Sequence, residues 1–249
     1  MAEINPTPVT RERFDAVLFD LDGVLTSTAA IHAAAWKQMF DGFLREAEGP
    51  RFRPFDLERD YKTYVDGKPR YDGVQSFLAA RGIELPFGDP AEPASDHSVC
   101  GLGNQKDALV KRAIADGQVE AFPSSIRWVE QLRAEGFRLG VVSSSKNCRE
   151  VLEAAGIAQL FEVRVDGETL VELGLRGKPA PDSFLKAAEL VHVAPARAVV
   201  VEDALSGVQA GRAGDFGLVI GVDREGQSAA LSAHGADLVV GDLAEMLRS

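Results

Sequence analysis

Short apolar runs rich in β-branched residues recur along this chain, and they constrain the fold more than any other feature of the sequence. Six such runs occupy residues 16–20, 137–143, 161–166, 198–203, 218–222 and 237–240. Segments with helix signals lie between them, at residues 123–135, 147–155, 181–191 and 204–213. Apolar strands that alternate with helices are typical of a parallel sheet covered on both faces. The sequence therefore predicts a doubly wound α/β core.

The alternation of strands and helices stops between residues 28 and 117, directly after the first apolar run. Three helix-like stretches and no convincing strand fill this region, at residues 29–48, 71–81 and 105–115. We therefore expect a core domain of residues 1–27 and 118–249, with a helical cap domain of residues 28–117 inserted after the first strand. The Pro- and Gly-rich stretch 85–103 is predicted to be an irregular surface loop of the cap.

The composition excludes several classes of partner. Asp and Glu number 38 against 27 Lys and Arg, which gives a net charge of −11. A surface this anionic disfavours nucleic acid and acidic lipid, so an anionic ligand must meet a local cluster of Lys and Arg.

The two cysteines, Cys100 and Cys148, are too few for a disulfide framework, and we expect inert packing thiols. Without an apolar leader or a long apolar run, the sequence predicts a cytoplasmic protein that does not contact membranes.

Polar residues follow three of the predicted strands. Asp20 and Asp22 follow the first, residues 143–145 (SSS) follow the second, and Glu202 with Asp203 follows the fourth along the chain. In open α/β sheets, ligands bind at the carboxyl ends of the strands. We therefore expect these side chains to share one site.

Asp20 and Asp22 are separated by one residue, so their side chains point to the same side if the extended backbone continues. Two carboxylates in one small site repel each other unless a divalent cation joins them or one of them stays protonated. Such a pair can supply a nucleophile and an acid/base. An Asp-rich turn, with Gly23 for a tight bend, explains the same residues without any chemistry.

Three further features admit both a functional and a structural interpretation. Lys178 precedes a proline, and on a stiff extended segment its ammonium suits an oxyanion, although a solvated surface lysine fits equally. Glu202 and Asp203 offer the oxygen ligands that Mg²⁺ prefers, or act as helix N-terminal carboxylates. Residues 143–147 (SSSKN) can dock an anion at the start of a helix or serve as an ordinary N-cap.

Together these motifs are more specific than any one of them. In chain order they are Asp20-x-Asp22, Ser143, Lys178 and Glu202-Asp203. This is the order of the four sequence motifs of the haloacid dehalogenase superfamily, which the chain resembles over nearly its whole length. The helical insertion is similar to the superfamily's cap. The resemblance implies a Rossmann-like core and Mg²⁺-dependent phosphoryl transfer through an aspartyl-phosphate.

Residues 19–37 (FDLDGVLTSTAAIHAAAWK) and 67–70 (GKPR) resemble the β-phosphoglucomutase subgroup of that superfamily. By this resemblance the substrate-binding residues are Thr28, His32, Trp36, Gly67, Arg70, Lys106, Ser144, Ser145 and Asn147. Arg70 matches the cap arginine that holds the non-reacting phosphate, and Lys106 matches a cap lysine near the acid/base. His32 and Trp36, four residues apart on a helix, also fit a purely structural role in packing.

The resemblance also assigns the catalytic roles. Asp20 is the nucleophile and Asp22 the acid/base, with Ser143 and Lys178 completing the catalytic set. Mg²⁺ is expected to bind Asp20, the Asp22 carbonyl and Asp203, with Glu202 as a further ligand or as a group that holds the direct ligands.

The expected reaction interconverts β-glucose 1-phosphate and glucose 6-phosphate with a bisphosphate activator, in a monomer. A sugar-phosphate phosphatase, in which water is the acceptor, is the alternative, and a catalytically silent binding module is the alternative from another class. Three departures from the subgroup's pattern concern the choice of sugar. They are Ser27 where many relatives have Asp, Gly73 where a cap-loop serine is expected, and the long stretch 85–103.

Overall fold

Six parallel strands form one sheet in the order β3-β2-β1-β4-β5-β6. The computed structural model describes residues 9–248, so residues 1–8 of the expected core domain and residue 249 lie outside the described residues. The strands are β1 (Ala16–Phe19), β2 (Arg138–Val142), β3 (Val163–Val165), β4 (Ala198–Glu202), β5 (Leu218–Val222) and β6 (Leu238–Val240). The predicted α/β fold is confirmed. The strand order reverses between β1 and β4, and ligands bind at such a reversal in open sheets.

Helices cover both faces of the sheet. They are α4 (Pro123–Ala134), α5 (Cys148–Ala154), α6 (Gly167–Leu173), α7 (Asp182–Leu190), α8 (Leu205–Ala213) and α9 (Ser228–Ala233). Because side chains alternate along a strand, Phe19 packs with Trp128 on one face while Leu18 packs with Phe184 on the other. Short 3₁₀ helices occur at Ala158–Leu160, Pro195–Arg197 and Leu243–Met246. The sequence did not predict α6 and α9, because seven and six residues are too few to show a helical period.

We call residues 28–117 the cap. All of the regular secondary structure in the cap is helical. The helices are α1 (Thr28–Glu48), the 3₁₀ helix Gly49–Arg51, the π-helix Leu57–Val65, α2 (Arg70–Arg81) and α3 (Val99–Ala115). The cap has its own apolar cluster, in which the Phe40 ring lies 5.0 Å from Phe55 and 4.3 Å from Phe77. The expected helices are present, and the domain boundaries stay a prediction.

The expectation of an irregular surface loop over residues 85–103 is wrong at its C-terminal end. Helix α3 begins at Val99, and Val99 and Leu102 are buried in the cap cluster. The Ser98 hydroxyl caps this helix by accepting a hydrogen bond from the Gly101 N–H at 2.8 Å. Burial against the cap therefore overrides a local composition that is typical of loops.

Gly73 also differs from its expected place in a cap loop, because it lies in the first turn of α2. A Cβ added there would lie 3.2 Å from the Trp36 ring, so the position is tightly packed. Cys100 and Cys148 are buried free thiols, as expected. Within the described part of the chain, no helix has both the length and the apolar character needed to cross a bilayer.

The cap is closed over the carboxyl ends of the strands. The Ser144 hydroxyl donates to the Gly67 carbonyl at 2.7 Å, and the Ser206 hydroxyl donates to the Asp66 carbonyl at 2.9 Å. A third contact is the ion pair between Lys62 of the cap and Glu225 of the core, at 3.0 Å. Gly67 has a left-handed φ of +67°, and a Cβ there would lie 2.3 Å from the Ser206 hydroxyl oxygen. Only glycine permits this close approach of cap and core.

Candidate active site

The carboxyl ends of β1, β2 and β4 meet beneath the cap. Asp20 follows β1, Ser143 follows β2, and Glu202 ends β4. A cavity lies between these strand ends and the cap. Both Asp20 and Asp22 line it, as their spacing predicts. Most of the predicted substrate-binding residues line it as well, namely His32, Trp36, Gly67, Arg70, Lys106, Ser144, Ser145 and Asn147.

The Lys178 ammonium links two carboxylates at the base of the cavity. Its Nζ lies 2.5 Å from Asp20 Oδ1 and 2.5 Å from Glu202 Oε1, and the side chain is 1% exposed. Burial lowers the pKa of Lys178, but the carboxylates of Asp20 and Glu202 outweigh burial and raise that pKa above its ordinary value. Lys178 is therefore a permanent positive charge beside Asp20.

The local backbone at Lys178 differs from the prediction of a stiff extended segment. Lys178 lies in a turn, in which the Ala180 N–H donates to the Gly177 carbonyl at 3.0 Å. The prediction is wrong because the two prolines that follow constrain the backbone without keeping it extended, and tight turns also tolerate proline. The turn still points the ammonium at Asp20.

Three carboxylates gather beside this lysine. Asp20, Glu202 and Asp203 each place an oxygen within 4.8 Å of the others. Burial and mutual repulsion raise the pKa values of Asp20 and Asp203 well above the ordinary value for an aspartate. One ammonium facing three carboxylates leaves the cluster short of positive charge. These hard oxygen ligands fit a divalent cation.

Gly23 makes room for this cluster. Its φ is +85°, and a Cβ there would lie 1.8 Å from Asp203 Oδ2. The Gly23 N–H donates to the Thr26 carbonyl at 2.8 Å and closes the tight bend that the sequence predicts. The bend carries Asp22 back toward Asp20, so the structural and the functional interpretations of this motif are both consistent with the structure.

Three predicted residues surround the Asp22 carboxylate. The Thr28 hydroxyl donates to Asp22 Oδ1, His32 Nε2 lies 3.6 Å from the same oxygen, and the Ser143 hydroxyl donates to Oδ2 at 3.4 Å. Burial and the nearby Lys106 lower the pKa of His32 to about 4, so His32 is neutral at pH 7. Polar groups of the cap and of the core thus converge on one carboxylate.

Lys106 lies between the apolar cluster of the cap and the polar side chains around Asp22. Its Nζ lies 2.7 Å from His32 Nδ1 and 5.1 Å from the centre of the Trp36 ring. Burial lowers the pKa of Lys106 to about 7. Trp36 is buried and stacks on Phe40 at 5.3 Å. Trp36 therefore packs in the apolar cluster of the cap and also lines the cavity.

Arg70 and Asn147 both contact Asp107, a residue that the sequence analysis did not single out. We call this part of the cavity its distal end. Arg70 Nη1 lies 2.9 Å from Asp107 Oδ2, and Asn147 Nδ2 donates to Asp107 Oδ1 at 2.8 Å. Asp107 directly follows Lys106, and an acidic residue four positions before Lys111 predicts a helical ion pair. Its contact with Arg70 carries no such local signal.

The serine run forms a turn at the cavity wall. The Ser145 N–H donates to the Ser143 hydroxyl at 3.1 Å, and the Asn147 N–H donates to the Ser145 hydroxyl at 3.1 Å. These bonds lie before α5, whose N-cap residue Asn147 makes no side-chain capping bond, so the interpretation of the run as an ordinary N-cap is wrong. Ser144, Ser145 and Asn147 border the cavity.

Two half-buried cap residues near the acidic cluster were also not predicted. Burial raises the pKa of Asp66 to about 7 and raises the pKa of Tyr61 well above its ordinary value. Both line the cavity. No motif marks either residue, because their burial depends on how the cap meets the core.

Known proteins resemble this chain over most of its length. The model of a family described as haloacid dehalogenase-like hydrolase matches residues 14–215. A β-phosphoglucomutase of Mycobacterium bovis is 53% identical over 242 residues, which are 95% of this chain and 92% of the relative. A β-phosphoglucomutase of Bacillus subtilis is 33% identical, over 90% of this chain and 88% of the relative. The solved structure of β-phosphoglucomutase from Clostridium difficile has a TM-score of 0.75 at 23% identity, with 94% of this chain and 93% of that chain covered, and it supports the fold.

Proposed function

The chain belongs to the haloacid dehalogenase-like hydrolase family, and from this premise we propose that it is a Mg²⁺-dependent phosphomutase that interconverts β-glucose 1-phosphate and glucose 6-phosphate. One observation carries the proposal. The cavity beneath the cap is lined by Asp20, which pairs with the buried Lys178, and by Arg70, so a cation is available to each of two phosphoryl groups. The relatives named β-phosphoglucomutase support the choice of sugar.

The reaction begins with attack on phosphorus by an Asp20 oxygen. The bond from phosphorus to the sugar oxygen breaks, an aspartyl-phosphate forms, and Asp22 gives a proton to the leaving oxygen. Asp22 then takes a proton from the hydroxyl that accepts the phosphoryl group, and Asp20 is released. Thr28, His32 and Ser143 hold the Asp22 carboxylate for this role.

Asp20, the Asp22 carbonyl and Asp203 would hold the Mg²⁺ ion. When bound, Mg²⁺ supplies positive charge that favours the ionised form of Asp20 and offsets the charge of the phosphoryl group. Glu202 Oε1 accepts from Lys178 at 2.5 Å, and Glu202 Oε2 accepts from the Ala204 N–H at 2.8 Å. Since both of its oxygens are occupied, we assign Glu202 the role of holding Lys178 in place.

At the distal end, Arg70 and Lys106 would anchor the phosphate that does not react. Ser144, Ser145 and Asn147 complete that wall, and Gly67, Trp36 and His32 border the sugar. Closure of the cap excludes water, so the free hydroxyl of a sugar monophosphate becomes the preferred acceptor, and its phosphorylation gives the bisphosphorylated sugar. The enzyme would act as a monomer in the cytoplasm.

A sugar-phosphate phosphatase is the second candidate, because the matching family is described as hydrolases. In that reaction water attacks the aspartyl-phosphate, and no second phosphate anchor is needed. The presence of Arg70 in the cavity favours the mutase.

A coupled assay separates the two reactions. Purified protein with Mg²⁺, β-glucose 1-phosphate and the bisphosphate activator should form glucose 6-phosphate faster than it releases inorganic phosphate, and EDTA should stop both. Arg70→Ala should lower the mutase flux by about 100-fold, since it removes charge-assisted hydrogen bonds worth roughly 3 kcal/mol. Release of inorganic phosphate alone, or an unaltered flux in Arg70→Ala, would show that the mutase proposal is wrong.

A further inference from the structure

At the distal end of the cavity, three donors converge on the carboxylate of Asp107. Arg70 Nη1 lies 2.9 Å and Lys111 Nζ 3.0 Å from Oδ2, and Asn147 Nδ2 donates to Oδ1 at 2.8 Å. Arg70, Asp107 and Lys111 belong to the cap, whereas Asn147 precedes α5 of the core. A single carboxylate therefore joins the two parts of the molecule at the phosphate end of the cavity.

We propose that Asp107 is a specificity-determining residue that competes with the second phosphoryl group of the substrate for Arg70 and Asn147. The inference rests on the proposed function, in which those two residues hold the non-reacting phosphate. Carboxylate and phosphate present similar pairs of acceptor oxygens to a guanidinium, so one anion can replace the other. In the closed structure Asp107 occupies the donors that the substrate needs.

The exchange leaves no charge without a partner. Asp107 is 14% exposed, and an unpaired carboxylate at such a site is costly. Lys111 is 59% exposed and binds the same oxygen as Arg70, so it remains with Asp107 when Arg70 turns to the phosphate. Although burial raises the pKa of Asp107, the Arg70 charge and the bonds from Asn147 and Lys111 hold it below its ordinary value. Asp107 is therefore an anion throughout the neutral range.

A competing carboxylate has a use in a mutase. The bisphosphorylated sugar must leave Arg70, turn over and present its other phosphoryl group to Asp20. Asp107 stabilises Arg70 during that step, which lowers both the affinity for phosphate and the barrier to reorientation. Binding that is too tight at an intermediate slows turnover.

The test is the isosteric variant Asp107→Asn. It keeps a side chain of the same size and an acceptor oxygen, and it removes the competing charge. Titration calorimetry should give about tenfold tighter binding of glucose 6-phosphate, the scale of coupling between close charges at partly buried sites. Mutase kcat should fall, because release of the bisphosphate becomes slower. Melting curves establish that the variant is folded.

The matched control is Glu225→Gln, which breaks an ion pair between cap and core, with Lys62 at 3.0 Å, and leaves Arg70 untouched. Its affinity for glucose 6-phosphate should equal that of the wild type. Equal tightening in both variants would assign the effect to a looser cap and overturn the inference. Equal or weaker binding in Asp107→Asn would show that Asp107 only positions Arg70, and would overturn it too.

The failure of the proposed function has a different signature. In that case neither wild type nor Asp107→Asn converts β-glucose 1-phosphate to glucose 6-phosphate in the coupled assay, whatever their affinities for glucose 6-phosphate. Normal mutase turnover with equal affinities in the two proteins would overturn the inference alone.

Discussion

The two ends of the cavity are built in different ways. The proximal end, with Asp20, Lys178 and Glu202, belongs entirely to the core and is fixed by the ends of β1 and β4 and by one turn. The distal end, with Arg70, Asp107 and Asn147, exists only where cap and core meet. Chemistry common to a family can therefore reside in one rigid body, while the choice of substrate depends on how a second body closes over it.

The difference extends to electrostatics. The proximal end has a surplus of carboxylates around one lysine, which suits a cation. The distal end has Arg70 and Lys111 on the Asp107 carboxylate and Lys106 in the cavity wall, which suits an anion. Under the proposed function, a substrate with a phosphoryl group at each end would place one beside Asp20 and Lys178 and the other beside Arg70.

Loss of the nucleophile should have the largest effect and should separate the two ends most sharply. Asp20→Asn should lower mutase flux and phosphate release together by at least about 10⁴-fold, because an amide does not attack phosphorus. Calorimetry should show that glucose 6-phosphate still binds, since the distal end is intact. Activity within about 100-fold of the wild type would contradict the assignment of Asp20.

The next largest effect concerns stability at the proximal end. Lys178→Met leaves Glu202, which is fully buried, and Asp20 without their cation, and breaking such a buried pair costs about 3–5 kcal/mol. Urea unfolding in EDTA measures this loss of free energy of unfolding.

The matched control for Lys178→Met is Arg176→Met, which breaks an ion pair with Asp182 at the surface, where the Arg176 side chain is 75% exposed. Its unfolding curve should not differ measurably from that of the wild type. Equal losses in the two variants would mean that the buried cluster does not stabilise the core.

The smallest expected effect is a change of stability with pH that arises from Lys106 at the distal end and not from Lys178. Burial lowers the pKa of Lys106 to about 7 from its ordinary value of 10.5, so between these values the unfolded chain binds the proton more tightly. Stability should then rise with pH in that window, and the cost of burying the charge is fully present below pH 7. From pH 7 to pH 9.5 the contribution is about 3 kcal/mol.

Urea unfolding of wild type and Lys106→Met at both pH values measures this contribution. The wild type should gain more stability than the variant over this interval, because methionine does not titrate. Identical pH dependence of the free energy of unfolding in the two proteins would show that folding does not lower the pKa of Lys106.

Two residues of the proximal end were predictable from the sequence because Asp20 and Glu202 lie at strand ends, and parallel strands align their ends. Asp20 and Glu202 needed only this rule. Lys178 was identified by its neighbours, yet its turn was not, because packing decides the path of a proline-rich segment.

The distal end was less predictable. Arg70 and Asn147 were expected from resemblance, but their common partner Asp107 was not, since that contact joins α3 to a loop forty residues away. The start of α3 was missed for a related reason. The stretch before it has the composition of a loop, and only burial of Val99 and Leu102 in the cap identifies the helix.

The position of β1 in the chain has a consequence for how the protein is made. Ala16 pairs with Arg138 on one side and with Ala198 on the other, so the central strand emerges from the ribosome long before either neighbour. The whole cap is synthesised in the interval and can bury its own aromatic cluster first. Closing such long loops is slow, and the apolar strand AVLF stays unpaired meanwhile. A strand that is fully buried in the finished enzyme is thus exposed during translation until both of its neighbours have been made.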